Sequence, residues 1–535
     1  MHMKVRTLIA GLFIPAAMCA QTDFVNIFLG KHFRFCLSLA LSSVLVGTIH
    51  AQSVRAYRQS NEKQIVQELI DLLALPNVAQ DNVNIRRNAQ KIVDMLRQRG
   101  VKTRLLEHSR RNVPPVVFGE LKALGAKETV MFYCHYDGQP ADSTKWADAG
   151  PWEPIVRTNT LDSGGTVISL SPESGKIEGN WRVYARSASD DKSPIVVLMA
   201  ALDALSAQGT QPSVNLKFFF EGEEEAGSPH LGDFLRQHKN LLEADIWITA
   251  DGPVHQNGQK LVFFGCRGIV SAEITVYGAN RPLHSGHYGN WAPNPAMNLS
   301  KLLTTMKDDA GNVLIPGFYD DVAPLGHLEK QAIAKSPDYD KTLAGELGFA
   351  RPEGAGKSLN ELINLPSLNV SGLSSGYVGS QSRTAVPSSA TARIDMRLVK
   401  GNDPDRQVER LKEHIRRQGY HIVSDDPSLA ERLNHSLIAK ITKSDGYKAH
   451  RTPMDLPIAG KIVHALKSLP FGDIVLMPTV GGSVPLSLIA EITGAPQLVV
   501  PIANYDNNQH SENENVRIQN LWDGIEMYAA IMTME

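Results

Sequence analysis

Residues 214–228 read VNLKFFFEGEEEAGS, an apolar run followed at once by a dense acidic one. The first half, with three consecutive phenylalanines, has the length and composition of a buried strand. Glutamates at 221 and 223–225 usually indicate a solvated loop, but here they follow directly on a strand that enters the core. Crowding carboxylates beside a core is costly unless cations compensate their charge. A divalent metal ion is the simplest such cation.

The same pattern of an apolar run and then polar residues recurs on both sides of this stretch. Strand-like runs occupy 129–134, 246–249 and 498–502, and helical patterns separate them. This alternation predicts the α/β class, with a mostly parallel sheet and helices on both faces. Each run is followed closely by acidic residues or a histidine. Since ligands gather at the carboxyl ends of strands in such sheets, we expect a site there.

The stretch from about 268 to 426 has a different pattern. It contains a strand-like run at 269–277, a helix at 295–306 and an alternating strand at 390–399. A further helix begins at Asp403-Pro404 and ends at Gly419. This order predicts a small α+β lid and dimerisation domain inserted into a larger one. The predicted division is a signal peptide at 1–51, a catalytic metal-binding domain at 52–267, the inserted domain at 268–440 and the second catalytic part at 441–535.

The first 51 residues are predicted to be a secretory signal. Lys31 and Arg34 precede an apolar run at 35–49, and a small residue, Ala51, ends the segment. We therefore expect an exported protein, periplasmic or secreted, cleaved near Ala51. An N-terminal membrane anchor is the alternative, but the run is short for a span of about 20 residues. No stable membrane span is expected in the mature chain.

Composition narrows the possible partners. Hydrophobic residues make up 42% and charged residues 21% of the 535 residues, and the formal net charge is −2. The absence of a long basic run argues against a nucleic-acid partner. Beyond the predicted signal only Cys134 and Cys266 remain, both in apolar runs. We interpret them as buried thiols, and the sequence leaves a single disulfide open.

Four further segments carry possible metal ligands. They are His135-Tyr136-Asp137, the pair Asp190-Asp191 before an apolar helix, Asp251, and His510. Neutral imidazole and carboxylate oxygens are zinc ligands, and a nearby carboxylate commonly holds the other nitrogen of a ligand histidine. Each segment alone has an ordinary interpretation, such as a loop or, for the aspartate pair, a helix N-cap. Their joint occurrence favours a metal site.

Together these segments resemble the co-catalytic zinc family that includes carnosine dipeptidase, aminoacylase, carboxypeptidase G, acetylornithine deacetylase and succinyl-diaminopimelate desuccinylase. The resemblance spans nearly the whole chain from about residue 65 and is closest to the dipeptidase branch. The motifs that carry this closer resemblance are EGEEEAGS at 221–228, LHSG at 283–286, GGSVP at 481–485 and HSENE at 510–514. The resemblance implies a zinc-exopeptidase-like catalytic domain with two Zn²⁺ per subunit; Mn²⁺ or Co²⁺ is an alternative.

The resemblance also implies a set of metal ligands. Asp190 would bridge both metals, His135 and Asp251 would complete one metal site, and Glu225 and His510 would complete the other. It further implies a cis peptide between Asp190 and the next residue. Where the family often has glycines around this aspartate pair, this chain has Ala185, Ser187 and Ser193.

Further roles follow from the same resemblance. Glu224 would be the general base and Asp137 would orient His135. His284 would reach the active site of a partner subunit and stabilise the oxyanion, which implies a homodimer. The substrate-binding residues would be Thr384, Arg397, which would pair with a substrate carboxylate, and Ser483.

The expected activity is hydrolysis of the amide bond of dipeptides or small peptides, of the dipeptidase or carboxypeptidase type. An N-acyl amino acid deacylase using the same site is the alternative enzyme, and a binding protein on an inactive hydrolase scaffold is the alternative of another class. A small peptide or an N-acyl amino acid is therefore the expected substrate. All ligand positions and the base are present in the sequence, which argues against the inactive scaffold.

Overall fold

A computed structural model describes residues 53–170 and 176–535. The predicted signal at 1–51 lies outside these residues. The helices are α1 (53–73), α2 (Asn82–Gln98), α3 (Lys192–Ala207), α4 (Leu231–Gln237), α5 (Ser285–Tyr288), α6 (Pro295–Thr304), α7 (His327–Lys335), α8 (Asp340–Leu347), α9 (Leu359–Ile363), α10 (Pro404–Arg417), α11 (Leu429–Asn434), α12 (Pro457–Lys467), α13 (Leu486–Thr493) and α14 (Ile518–Met532).

The strands form a large sheet, a smaller sheet and short ribbons. In chain order they are β1 (Lys102–Leu106), β2 (Val116–Leu121), β3 (Thr129–His135), β4 (Ile155–Arg157), β5 (Val167–Ile168), β6 (Arg182–Tyr184), β7 (Asn215–Glu221), β8 (Ile246–Thr249), β9 (Leu261–Phe263), β10 (Gly265–Cys266), β11 (Gly268–Tyr277), β12 (Leu283–His284), β13 (Ser367–Ser375), β14 (Ala385–Val386), β15 (Ser389–Leu398), β16 (His421–Val423), β17 (Ile438–Tyr447), β18 (His450–Arg451), β19 (Val475–Met477), β20 (Gln497–Val499) and β21 (Asn515–Arg517).

The large sheet has the order β1-β2-β7-β3-β8-β20-β9-β19. Its centre, β7-β3-β8-β20, is parallel throughout and contains the four apolar runs that the sequence indicated. Antiparallel pairs occur toward the edges, where β1, β2 and β9 join. The predicted α/β fold is therefore confirmed, with a parallel centre and mixed edges.

Side chains of β3 alternate between two cores on opposite faces of this sheet. Phe132 and Cys134 point into a core shared with α2, α3, α12 and α14, whereas Met131 and Tyr133 point into a second core with α4 and α13. Because successive side chains of a strand face opposite sides, an all-apolar run requires cover on both. The helices cover both faces of the sheet but not the edge formed by the carboxyl ends of its strands.

The smaller sheet, which we call the lid sheet, has the order β13-β15-β11-β17-β16 and packs against α6 and α10. The side chain of Asp403 caps α10 by accepting from the backbone NH groups of Asp405 and Arg406, in agreement with the sequence pattern. Strand β17 pairs with β11 along nearly its whole length. The boundary predicted at 440 falls inside this strand, which continues to pair with β11 as far as Tyr447.

Cys134 and Cys266 are both buried free thiols. Within the described part of the chain, no helix combines the length and the hydropathy that a membrane crossing requires.

Candidate metal centre

Three predicted residues lie at the carboxyl ends of adjacent parallel strands. His135 is the last residue of β3, Asp251 follows β8 by two residues, and the acidic stretch 221–225 begins at the end of β7. Since β7, β3 and β8 are neighbours in the sheet, strand pairing alone brings these groups together. The observed position is the one expected for a ligand site in this fold.

Asp190 lies between the two predicted histidine ligands. Its Oδ1 is 2.8 Å from Nε2 of His135, and its Oδ2 is 3.2 Å from Nε2 of His510. The two oxygens of one carboxylate thus face two imidazoles that come from distant parts of the chain. This is the geometry that a bridging ligand requires.

The remaining predicted ligands complete two clusters. Oε2 of Glu225 lies 3.3 Å from Nε2 of His510, and Oδ2 of Asp251 lies 3.9 Å from Nε2 of His135. One group consists of His135, Asp191 and Asp251, and the other of Asp190, Glu225 and His510. Within each group, the possible ligand atoms lie within 4.8 Å of one another.

The ligand set that the resemblance implied included Asp190 but not Asp191. It occupies the N-cap position of α3, but its side chain makes no capping hydrogen bond. Its Oδ1 is buried without a partner among the described residues, while its Oδ2 accepts from the backbone NH of His135 at 3.2 Å. The N-cap interpretation therefore does not account for this side chain. The peptide between Asp190 and Asp191 is cis, as the resemblance implied.

Asp137 connects His135 to the loop that carries the acids. Its Oδ1 lies 3.4 Å from Nδ1 of His135, and its two oxygens accept from the backbone NH groups of Glu224 and Glu225 at 3.1 and 3.0 Å. Gly222 allows the close approach of this loop, because a Cβ there would overlap the ring of Tyr136. Asp137 thus holds the candidate base and one candidate ligand in fixed relation to His135.

Glu514 is a buried carboxylate to which the sequence analysis assigned no role. Its Oε1 accepts from the backbone NH groups of Ser189 and Asp190 at 2.9 and 3.0 Å, and its Oε2 accepts from Ser187 NH at 2.9 Å. Arg186 pairs with the same carboxylate at 2.8 Å. Ser187 adopts a positive φ of 61°, at one of the positions where the resembling family often has glycine. The Asp190 loop is therefore held by the loop of His510.

The carboxylates of this centre repel one another. Burial raises the pKa of Glu225 to about 7 and that of Asp251 to about 6, and the negative charge of Asp190 adds to both shifts. Burial also raises the pKa of Glu224 well above its usual range. Desolvation and like charge both disfavour the ionised form of a carboxyl group.

The imidazoles of His135 and His510 lower the pKa of the carboxylate between them. Burial tends to raise the pKa of Asp190, but hydrogen bonds from His135 and His510 hold that pKa well below its usual range. The hydrogen bond to Asp190 in turn raises the pKa of His510 to about 9. Asp190 is thus the carboxylate most strongly kept in its charged form.

This donor set fits two divalent cations. Imidazole nitrogens with carboxylate oxygens suit zinc and also manganese or cobalt. Divalent cations would compensate the crowded negative charge that otherwise keeps protons on Glu225 and Asp251 toward neutral pH. Among the described residues, Oδ1 of Asp191 has no hydrogen-bond partner, so this buried oxygen is also available as a ligand atom.

Two of the predicted substrate residues contact each other. Arg397, on β15, donates from Nη1 to Oγ of Ser483 at 2.8 Å. Tyr447, which the sequence analysis did not consider, lies in the same place: burial and the negative charge of Glu224 raise its pKa, while Arg397 and a hydrogen bond to Ser483 lower it. The hydrogen bond to Ser483 places Tyr447 beside this pair.

The other two predicted residues, His284 and Thr384, form a separate pair. His284 pairs with Ala385 between β12 and β14, and the carbonyl of Thr384 accepts from Ser285 NH at 3.0 Å. The ring of His284 is exposed and lies 4.6 Å from that of His287. In the described part of this chain its contacts are thus with its own lid segment rather than with the metal ligands.

The fold and the paired clusters of possible ligands are those of a metal-dependent hydrolase. The chain belongs to peptidase family M20/M25/M40, whose sequence model matches residues 131–534.

Known relatives include two dipeptidases. The chain is 27% identical over 424 residues to the Cys-Gly metallodipeptidase of Schizosaccharomyces pombe, covering 78% of this chain and 82% of that protein. It is 26% identical over 444 residues to the Beta-Ala-His dipeptidase of Homo sapiens, covering 78% and 77%.

Solved structures have the same fold. An M20 family metallo-carboxypeptidase from Sulfolobus solfataricus superposes with a TM-score of 0.70 at 27% identity, covering 88% of this chain and 98% of that one. Human carnosine dipeptidase 1 superposes with a TM-score of 0.69 at 22% identity, covering 90% and 98%.

Proposed function

We propose that this chain hydrolyses the amide bond of dipeptides or small peptides, with Glu224 as the general base. The observation that carries the proposal is the position of Asp190, whose two carboxylate oxygens face His135 and His510. Membership of the peptidase family and the similarity to dipeptidases from yeast and human support the same reaction class. The substrate of each relative is a property of that relative, and the dipeptide is our proposal for this chain.

The metals of the proposed centre are two zinc ions. When bound, they would lower the pKa of a water molecule from 15.7 toward about 7. Glu224 would take the proton of that water and return it to the leaving nitrogen of the substrate. Its backbone NH donates to Asp137, the residue that also contacts His135, and this fixes the position of Glu224 in the loop. The proposed roles of Arg397 and Ser483 are to bind the substrate's carboxylate.

A parallel assay tests the proposed substrate class. The zinc-loaded protein is incubated with a dipeptide library and with N-acetyl amino acids, and metal content is measured in the same samples. Hydrolysis of dipeptides supports the proposal. Hydrolysis of the N-acetyl compounds alone would replace it with the deacylase, and bound zinc without cleavage of any compound would favour a binding protein.

We further infer a homodimer in which His284 serves the partner's active site. The lid carries exposed apolar side chains that a partner surface would cover: Trp291, Met297, Leu373, Tyr377 and Val378. Mixing two inactive variants tests this inference, one lacking His284 and one lacking Glu224. Exchange of subunits should restore about a quarter of the wild-type rate, because half of the dimers then contain one complete site. A mixture as inactive as its components would contradict a role in trans.

Export remains our proposal for the first 51 residues, on the sequence pattern alone. The mass of the protein recovered from the periplasmic fraction or the medium tests it. A mature chain that begins near Gln52 is expected. Recovery of the intact chain in the membrane fraction would favour the anchor instead.

A further inference from the structure

Arg267, between β10 and β11, is a buried cation without an acidic partner. Arg267 is 8% exposed, and no carboxylate of the described residues forms an ion pair with it. Nη2 donates to the carbonyl of Leu365 at 2.8 Å and to Oγ of Ser367 at 2.9 Å. Nε is buried and has no hydrogen-bond partner among the described residues. Burying a charge in this way is costly unless another charge compensates it.

A second arginine lies beside it. Ser367, which accepts from Arg267, is paired with Arg397 across the antiparallel strands β13 and β15. Directly opposed residues have Cβ atoms only about 4.5–5.5 Å apart. The backbone NH of Arg267 also donates to the carbonyl of Gly482 at 3.3 Å, next to the serine that Arg397 contacts. The backbone of Arg267 and the guanidinium of Arg397 therefore both contact the turn at 481–483, and the guanidinium of Arg267 binds the serine opposite Arg397.

The two positive charges act on each other. Burial and then the charge of Arg397 lower the pKa of Arg267, and Asp395 offsets part of this effect, so that the pKa falls to about 10. Asp395 is itself engaged by the side-chain amide of Asn369 at 3.0 Å. Two neighbouring cations with no acid of their own are the arrangement that an anionic ligand stabilises.

We propose that Arg267 supplies a second positive charge to the subsite formed by Arg397 and Ser483, so that this subsite accepts a substrate's free carboxylate and discriminates against its neutral amide. This inference rests on the proposed function and specifies its substrate class: peptides with an unblocked C-terminus. Arg267 is a specificity-determining residue in this account, and the hydrolytic machinery on the large sheet does not include it.

Steady-state kinetics of Arg267→Met on L-alanyl-L-alanine and on L-alanyl-L-alaninamide tests the inference. Loss of a charge that acts on the bound carboxylate should raise KM for the free acid about 10–100-fold, with kcat little changed. The value of kcat/KM for the amide should stay the same, so that the preference for the acid collapses. Arg267→Lys should recover part of the preference, because it restores the charge without the guanidinium geometry.

Arg393→Met is the matched control, because Arg393 is exposed on the same strand as Arg397. It should leave both substrates unaffected. If Arg267→Met lowers kcat/KM for acid and amide equally, or changes neither, the inference is overturned. If the wild-type enzyme cleaves neither compound, the proposed dipeptidase function fails on its own. In that case calorimetric binding of the same two compounds to wild type and Arg267→Met still decides whether Arg267 selects for the carboxylate.

Discussion

The backbone NH of Asp190 donates a 3.0 Å hydrogen bond to the carboxylate of Glu514, 324 residues further along the chain. Glu514 lies four residues after His510, so one loop provides both a candidate ligand and the group that fixes the bridging ligand. Arg186 completes this contact as a buried ion pair with Glu514. Two segments of the large-sheet region that the lid sheet separates in sequence are thus joined at the candidate metal centre.

Replacing Glu514 by alanine should destabilise both the fold and the centre. Removing one partner of a buried ion pair typically costs about 3–5 kcal/mol, because the other charge stays buried. Loss of a group that orients metal ligands typically lowers metal affinity about 10–100-fold. Chemical denaturation and competitive zinc titration measure the two effects. Glu512→Ala, on the same loop but at its surface, should change the free energy of unfolding by less than about 0.5 kcal/mol, and an equal effect of the two variants would contradict the role of Glu514.

The parts of this molecule that sequence could predict are those with local signals. The apolar runs of β3, β7 and β8 are followed by acids or a histidine. Because these strands are neighbours in the sheet, their carboxyl ends lie together, independently of the conformation of the loops. Asp403 and Pro404 likewise predict the start of α10, where the structure places the N-cap and the first helical residue.

Other features depend on contacts between distant segments and left no local signal. The roles of Glu514 and Arg267 depend on hydrogen-bond partners that lie about 100 to more than 300 residues away in the sequence. The sequence has no strong break within β17, which spans the boundary predicted at 440, and the extent of this strand is set by its pairing with β11.

Glu224→Gln should abolish most of the activity while the metals stay bound. Glutamine keeps the size of the side chain but cannot take a proton, so kcat should fall at least about 100-fold. Zinc content per chain should equal that of the wild type, since Glu224 belongs to neither ligand group. Glu243→Gln, at an exposed position, is the control and should behave as wild type. A rate for Glu224→Gln within a few-fold of the wild-type rate would remove Glu224 as the base.

Asp190→Asn and His510→Ala should differ in how many metals they lose. Asp190 faces both imidazoles, whereas His510 belongs to one ligand group only. We therefore expect weakened binding of both ions in Asp190→Asn and of one ion in His510→Ala. Metal content after gel filtration, measured by mass spectrometry, distinguishes the two cases. Loss of a single ion in both variants would show that Asp190 does not bridge.

Removing the metals should make the stability of the protein depend strongly on pH. For Glu225 and Asp251 the pKa is raised in the folded chain, to about 7 and about 6, so folding binds protons and stability falls as pH rises through these values. The raised pKa of His510, about 9, favours folding below pH 6.5 and its contribution is lost as pH rises through 9. Metal binding requires the deprotonated ligands and should reverse this trend.

Thermal unfolding of chelator-treated and zinc-loaded protein from pH 5 to 9 measures this difference. The gap between the two midpoints should widen as pH rises. A gap that is constant across this range would contradict the assignment of these side chains as ligands.

We infer that two neighbouring divalent cations are held together by five side chains: His135, Asp190, Glu225, Asp251 and His510. Anomalous X-ray diffraction at the zinc edge from crystals of the zinc-loaded protein tests it most directly. Two peaks about 3.5–4 Å apart, on either side of the Asp190 carboxylate, are predicted. A single peak, or peaks that lie away from Asp190, would contradict the two-metal centre and with it the proposed hydrolytic mechanism.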